Sequence, residues 1–375
     1  MTTTTPTTRA APPTHEQLYA ALLTSLPACG PARLTRLLAD ATSPADAWDT
    51  VLAGRARTDA HGLSATWAAY ARKANAIELA AQLDSLGVTV LIRGRPGYPP
   101  DLADDPDPPA VLFVTGTVHD ALDTATPRVA IVGTRRCTGY GSDVARALGR
   151  DLAAAGVTVV SGLAAGIDGA AHEGVLAASA APPVAVVGSG LDVVYPRRHR
   201  RLWRQVADTG VVIAEAPLGA APEPWRFPLR NRIIAGLSSV VVVVESHAGG
   251  GSMHTVQAAV DRGVPVMAVP GSVRSPSSIG TNRLLVDGVP PVLDATDVLV
   301  ALSIVAPPRQ AEQEPTNLSE AEQRTRDAID WSPTSTEDLL RRTGFDLGQV
   351  AAALTQLEIA GLARAAPGGC WERMR

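Results

Sequence analysis

The chain is almost without lysine. Lys73 is the only one, and it lies in the N-terminal region. Its absence elsewhere rules out a Gly-x-x-x-x-Gly-Lys-Ser/Thr phosphate loop and leaves no amine in the centre of the chain for a Schiff base. Cysteine is scarce too. Cys29, Cys137 and Cys370 are odd in number and far apart, which argues for reduced thiols rather than a disulfide framework. No apolar run approaches the ~18 residues of a membrane helix. The first residues, rich in threonine and proline, lack the apolar stretch of a secretory signal. A soluble cytoplasmic protein with a disordered tail over 1–14 is therefore expected. His247 and His254 are seven apart, and no Cys/His/carboxylate spacing points to a metal. There is also no Gly-x-Ser-x-Gly elbow. Asp168 and His172 stand one helical turn apart with no nucleophile to serve, and Asp168 reads as a helix N-cap.

What is present is arginine, unevenly placed. The net charge of the 375 residues is -4. Residues 127–297, however, hold 16 arginines against 13 acidic side chains, while both flanks are net acidic. Association with a polyanion depends on the local patch and not on the whole-chain sum. The densest stretch is Trp225, Arg226, Phe227, Pro228, Leu229, Arg230, Asn231 and Arg232, directly before the apolar run Val240–Val244. Guanidiniums bind phosphate in a bidentate fork, and aromatic faces stack on unpaired bases.

The periodicity divides the chain. From Glu16 to Leu86 apolar residues recur at helical spacing. This predicts helices over Leu18–Leu26, Pro31–Leu38, Pro44–Leu52 and Trp67–Leu86. Val88–Ile92 and Val111–Val114 are strand-like and bracket a Pro/Asp-rich run that reads as a rigid surface connection. Beyond it, short Val/Ile runs at about 128–132, 157–160, 184–187, 211–214, 240–244 and 264–269 alternate with helical stretches. That alternation implies a parallel sheet with helices on both faces. Ser303–Leu318 reads as a linker. Three helices and a hairpin follow, at Ser319–Ile329, Thr336–Arg342, Leu347–Ala360 and around Gly369, with Thr334 and Glu337 as a capping box.

Glycine-bearing turns follow five of the apolar runs. They carry Gly133, Gly139 and Gly141; Gly162 and Gly166; Gly188 and Gly190; Gly249 to Gly251; and Gly271. This ordered set, with the Phe227–Arg232 run between the third and fourth, resembles the DNA-processing protein A family, also called DprA or Smf. The resemblance covers nearly the whole chain and is densest from Val129 to Asp294. It implies an α/β fold: an extended Rossmann-like core over 87–302, preceded by a helical module of helix-hairpin-helix or SAM-like type over 15–86. After the linker at 303–318 it implies a winged helix over 319–375.

The resemblance also implies a function. It describes a non-enzymatic, homodimeric protein that binds single-stranded DNA, protects incoming strands in natural transformation and helps load the RecA recombinase, with no cofactor. Gly133, Thr134 and Arg135 match a Gly-Ser-Arg-like motif whose arginine contacts the strand, with Thr134 in place of the usual Ser; Arg136 follows it. Phe227, Arg230, Asn231 and Arg232 match residue by residue. Phe227 is expected to stack or shape the groove, and an arginine to bind phosphate. Gly251, Ser252 and Thr255 fit the fourth loop, although Gly250 replaces its leading Ser. Gly162, Gly166, Arg197 and Arg198 complete the expected DNA-binding set, and His199 stands where the family usually has Asn.

A second reading is a Rossmann-type nucleotide phosphoribohydrolase, which also uses a Gly-rich loop after a central strand. The corresponding stretch here, Ala248 to Gln257, has no carboxylate to act as the catalytic base. The expected recognition helix of the winged module, Leu347–Ala360, contains no arginine or lysine. Groove readers present basic or amide side chains, so protein contact or architecture is expected of it.

Overall fold

A computed structural model describes residues 12–116, 122, 126–305, 318–330 and 333–374. The expected tail at 1–14 and linker at 303–318 fall mostly outside the described residues. Those described form two compact units. One takes the residues up to 136 and those from 145 to 305; the other takes 137–144 and those from 318 onward.

The first unit opens with five helices: α1 (His15–Thr24), α2 (Pro31–Ala39), α3 (Pro44–Leu52), α4 (Leu63–Ala71) and α5 (Ala76–Ser85). Local chemistry sets their starts. Thr14 and Gln17 form a capping box on α1, and Pro31 opens α2, where a missing N–H costs nothing. The single helix expected over 67–86 is instead two. The Asn75 side chain accepts from the amides of Ile77 and Glu78, and this cap competes with helix continuation. The apolar faces of α1, α3 and α5 share one core with Val88, Val90, Phe113 and Trp203, so no gap in packing marks residue 86.

The sheet has eight strands: β1 (Val88–Ile92), β2 (Val111–Gly116), β3 (Arg128–Val132), β4 (Thr158–Ser161), β5 (Val184–Val187), β6 (Val211–Ala214), β7 (Val240–Val243) and β8 (Val266–Ala268). Their order is β1-β2-β6-β5-β4-β3-β7-β8. The pairs from β6 to β8 are parallel, and β1 and β2 add an antiparallel edge. The middle strands are buried on both faces, which is why they read as continuous valine runs. Crossovers are carried by α7 (Gly139–Ala154), α8 (Ile167–Ala178), α9 (Arg200–Thr209), α10 (Arg226–Gly236), α11 (Ser252–Val260) and α12 (Ile279–Val286). From β3 the chain first winds one way through β4, β5 and β6, and later returns to β3's other side as β7 and β8. The switch point therefore lies between the C-terminal ends of β3 and β7, where ligands of open α/β sheets bind.

The Pro/Asp run between β1 and β2 is pinned by three ion pairs. Arg128 meets Asp101, Arg262 meets Asp105 at 2.6 Å, and Arg232 meets Asp107 at 3.0 Å.

The second unit contains α13 (Glu320–Ala328), β9 (Thr334–Ser335), α14 (Thr336–Thr343), α15 (Leu347–Ile359), β10 (Ala363–Ala366) and β11 (Cys370–Arg373). Leu339, Val350, Leu354 and Leu357 form its core. The strands pair in the order β10-β11-β9, the arrangement of a winged helix. The cap of α14 sits one residue beyond the expected place: Ser335 accepts from the Asp338 amide.

Candidate nucleic-acid interface

A cleft of about 640 Å³ opens at the switch point. The turn after β3 supplies Gly133, Thr134, Arg135 and Arg136. The first half of α10 supplies Phe227, Arg230 and Asn231, the loop before α11 supplies His247 and Gly251, and the first turn of α11 supplies Ser252, His254 and Thr255. Ten of the fifteen residues expected to bind DNA thus meet in one place, although they are spread over more than a hundred positions of sequence.

Arg135 is exposed, and its guanidinium carbon stands 4.3 Å from the centre of the Phe227 ring. Phe227 lies 5.5 Å from Tyr195, with the rings inclined at 38°. The three form a cation–aromatic–aromatic layer on the cleft wall. The Thr134 hydroxyl accepts from the Arg136 amide at 3.2 Å and lies 3.4 Å from His247 Nδ1. Asn231 reaches the Gly251 carbonyl at 3.4 Å, tying the start of α10 to the α11 loop.

Arg230, expected to bind DNA, is turned instead onto the protein's own backbone. It belongs to α10 and is 6% exposed. Its Nη1 donates to the carbonyl of Gly162 at 2.9 Å and to that of Val186, so it binds the ends of β4 and β5 together. Burial lowers its pKa to about 10, against the attraction of Asp168; it remains a cation at neutral pH. Asp168 is corrected as well. The N-cap of α8 is Gly166, and the Asp168 carboxylate accepts from the Gly162 amide at 3.2 Å. Burial raises its pKa, while Arg230 and Arg135 oppose the shift. Nearby His172 is fully buried, which drives its pKa down to about 3 and keeps the ring neutral.

Arg232 leaves the cleft altogether. Its guanidinium is held by Glu215 at 2.6 Å and by Asp107, so it clamps the β1–β2 connection. Gly162 and Gly166 lie under the cleft rather than in its lining. A β-carbon at Gly162 would come within 2.5 Å of both Asp168 and Arg230. At Gly166, whose φ is +81°, it would meet the Thr134 carbonyl at 2.3 Å. Both are glycines because protein, not ligand, comes close. Arg197 and Arg198 are exposed on the short turn Arg197–His199 that follows Tyr195 and Pro196.

Ion pairing sorts the arginines of the central stretch. Arg128, Arg146, Arg150, Arg226, Arg232, Arg262 and Arg283 face acidic partners. Among the described residues Arg135, Arg136, Arg197, Arg198, Arg200, Arg201, Arg204 and Arg274 have none within ion-pair distance. All but Arg274 fall in two stretches, 135–136 at the cleft and 197–204 beside it.

Residues 89–303 match the family described as DNA recombination-mediator protein A, and residues 307–369 match the DprA winged helix domain. The chain belongs to the DprA/Smf family. It is 32% identical to protein Smf of Synechocystis over 74% of this chain and 78% of that one, and 36% identical to protein Smf of Escherichia coli over 72% and 74%. Among solved structures it is similar to DNA processing protein A of Streptococcus pneumoniae, with a TM-score of 0.65 and 29% identity over 76% of this chain and 97% of that one. It is also similar to DNA processing protein A of Helicobacter pylori, whose structure addresses a single-stranded DNA binding mode. There the TM-score is 0.50, with 28% identity over 58% of this chain and 95% of that one.

Two departures from the DprA/Smf pattern acquire a physical account. Thr134 keeps the hydroxyl of the usual Ser in contact with its own turn. His199, in place of Asn, sets its Nδ1 3.0 Å from the Leu163 carbonyl and fills the space over Gly169. Sequence reasoning passed over Tyr195 and His247 as part of the site. An aromatic beside a proline in the loop after β5 was the available signal for Tyr195. Nothing but its position after β7 distinguished His247.

Proposed function

We propose that the chain binds single-stranded DNA, without strong sequence dependence, in the cleft at the β3–β7 switch point, and that it acts by binding rather than by catalysis. The observation that carries this reading is the Arg135–Phe227–Tyr195 layer. A guanidinium without an ion-pair partner and two partly exposed rings are the elements from which sequence-tolerant single-strand sites are built. Arg135 and Arg136 take phosphates. The backbone at Gly133 and Thr134, and the amino end of α11 at Gly251, Ser252 and Thr255, lie where a backbone phosphate passes. Asn231 holds the two walls together, and Arg197 and Arg198 meet the strand at the rim. Arg230, Gly162 and Gly166 act from beneath by fixing the loops. The relative from Helicobacter pylori, with its single-stranded DNA binding mode, supports the assignment.

Membership of the DprA/Smf family supports the wider role. The protein works as a cytoplasmic homodimer that shields incoming strands during natural transformation and assists loading of RecA. Gel-shift titration of single- and double-stranded oligonucleotides of equal length tests the binding reading: tighter binding to the single strand is expected, and equal or tighter binding to duplex would end it. Loading of RecA onto strands covered by single-strand-binding protein, with and without this chain, tests the wider role.

A further inference from the structure

Helix α9 carries three exposed arginines, Arg200, Arg201 and Arg204. The opposite side of the helix, Leu202, Trp203 and Val206, is buried in the core. At 100° per residue the three arginines share one outward arc. None has an acidic partner among the described residues. They also sit in the first half of the helix, where the macrodipole disfavours positive charge, so they do not serve the helix itself. The helix begins directly after Tyr195, which lines the cleft, and after the exposed turn with Arg197 and Arg198. The outward face of α9 has no aromatic residue, and exposed Asp208 lies one turn beyond Arg204.

We propose that the outward face of α9 is a phosphate track, on which Arg200, Arg201 and Arg204 bind successive phosphates of the strand that leaves the cleft past Tyr195. This rests on the cleft reading and extends it. The cleft takes bases and phosphates; the helix takes phosphates alone. Asp208 marks the far end, where the charge reverses. The track is contacted only by strands long enough to run beyond the cleft.

The test is a salt titration with the full chain carrying Arg200→Gln, Arg201→Gln and Arg204→Gln together, on single strands of about 6 and about 30 nucleotides. All three side chains are exposed and unpaired, so the thermal midpoint should be unchanged. On the long strand the log–log slope of affinity against salt should fall by roughly 2, about 0.7 for each of three phosphates. On the short strand affinity should stay within twofold of the parent. An unchanged slope on the long strand overturns the track. An equal loss on both lengths also overturns it, because the arginines would then belong to the cleft. Arg135→Ala, run in parallel on the short strand, keeps the two ideas apart. If that variant binds like the parent, the cleft reading fails, whatever the triple variant does on the long strand.

Discussion

Helices α9 and α10 each carry three arginines, and they use them in opposite ways. On α9, Arg200, Arg201 and Arg204 are exposed and unpaired. On α10, Arg226 leans on Glu223, Arg230 caps two strand ends from inside, and Arg232 is locked between Glu215 and Asp107. The more motif-like cluster is thus the more structural one. An arginine's place in a sequence motif says that a guanidinium is needed there. It does not say whether the guanidinium faces a ligand or the protein's own carbonyls.

The largest expected effect falls on Arg230. Arg230→Ala would leave Asp168 buried without its cation and two carbonyls without their donor. A loss of about 3–5 kcal/mol in urea unfolding is expected, as for breaking a buried charge pair. Lysine should rescue little, because one ammonium cannot reproduce the planar fork. A stable Arg230→Ala protein with weakened DNA binding would reverse the contrast between the two helices. Arg232→Ala, which leaves Glu215 in a site where burial already raises its pKa, should cost about 1–3 kcal/mol of stability and leave the salt dependence of binding unaltered.

Phe227→Ala comes next. It should cost about 1–3 kcal/mol of single-strand affinity while keeping most of the salt slope; a folded variant with parental affinity would remove the ring from the interface. Arg135→Ala is subtler and cleaner. Its slope should drop by about 0.7 with no change in thermal midpoint, the reverse of Arg230→Ala. If both variants lost stability and neither changed its slope, the strand would lie on another face of the sheet. The smallest effect is expected in the winged helix. Replacing Gln349 and Gln356 of α15 by alanine should shift single-strand affinity by less than about 0.5 kcal/mol. A larger loss would show that a helix without basic residues still serves DNA.

Much of the fold was legible because short buried strands and amphipathic helices follow from local pattern. The six parallel strands, the first three helices and the winged-helix hairpin lie within a few residues of their expected places. The errors share a cause. Asn75 split one helix into two by capping, and Ser335 displaced Thr334 as a cap; both were decided by which side chain could reach which free amide. The arginine-rich run after Trp225 lies in helix α10, with Pro228 in its first turn, where it is tolerated.

By itself the sequence determined the family, the doubly wound alternation and ten of the residues that meet at the switch point, because hydrophobic period and glycine placement are local and ordered along the chain. Only the tertiary structure divided the expected residues into those open to the cleft and those buried against the protein's own groups. Arg135 and Arg230 are both arginines of family motifs; one ends over the half-buried Phe227 ring, the other beneath two strand ends. The difference arises from β3, β4, β5 and α10 meeting at one sheet edge. Burial and the partner of a guanidinium are properties of that meeting, and no local pattern contains them.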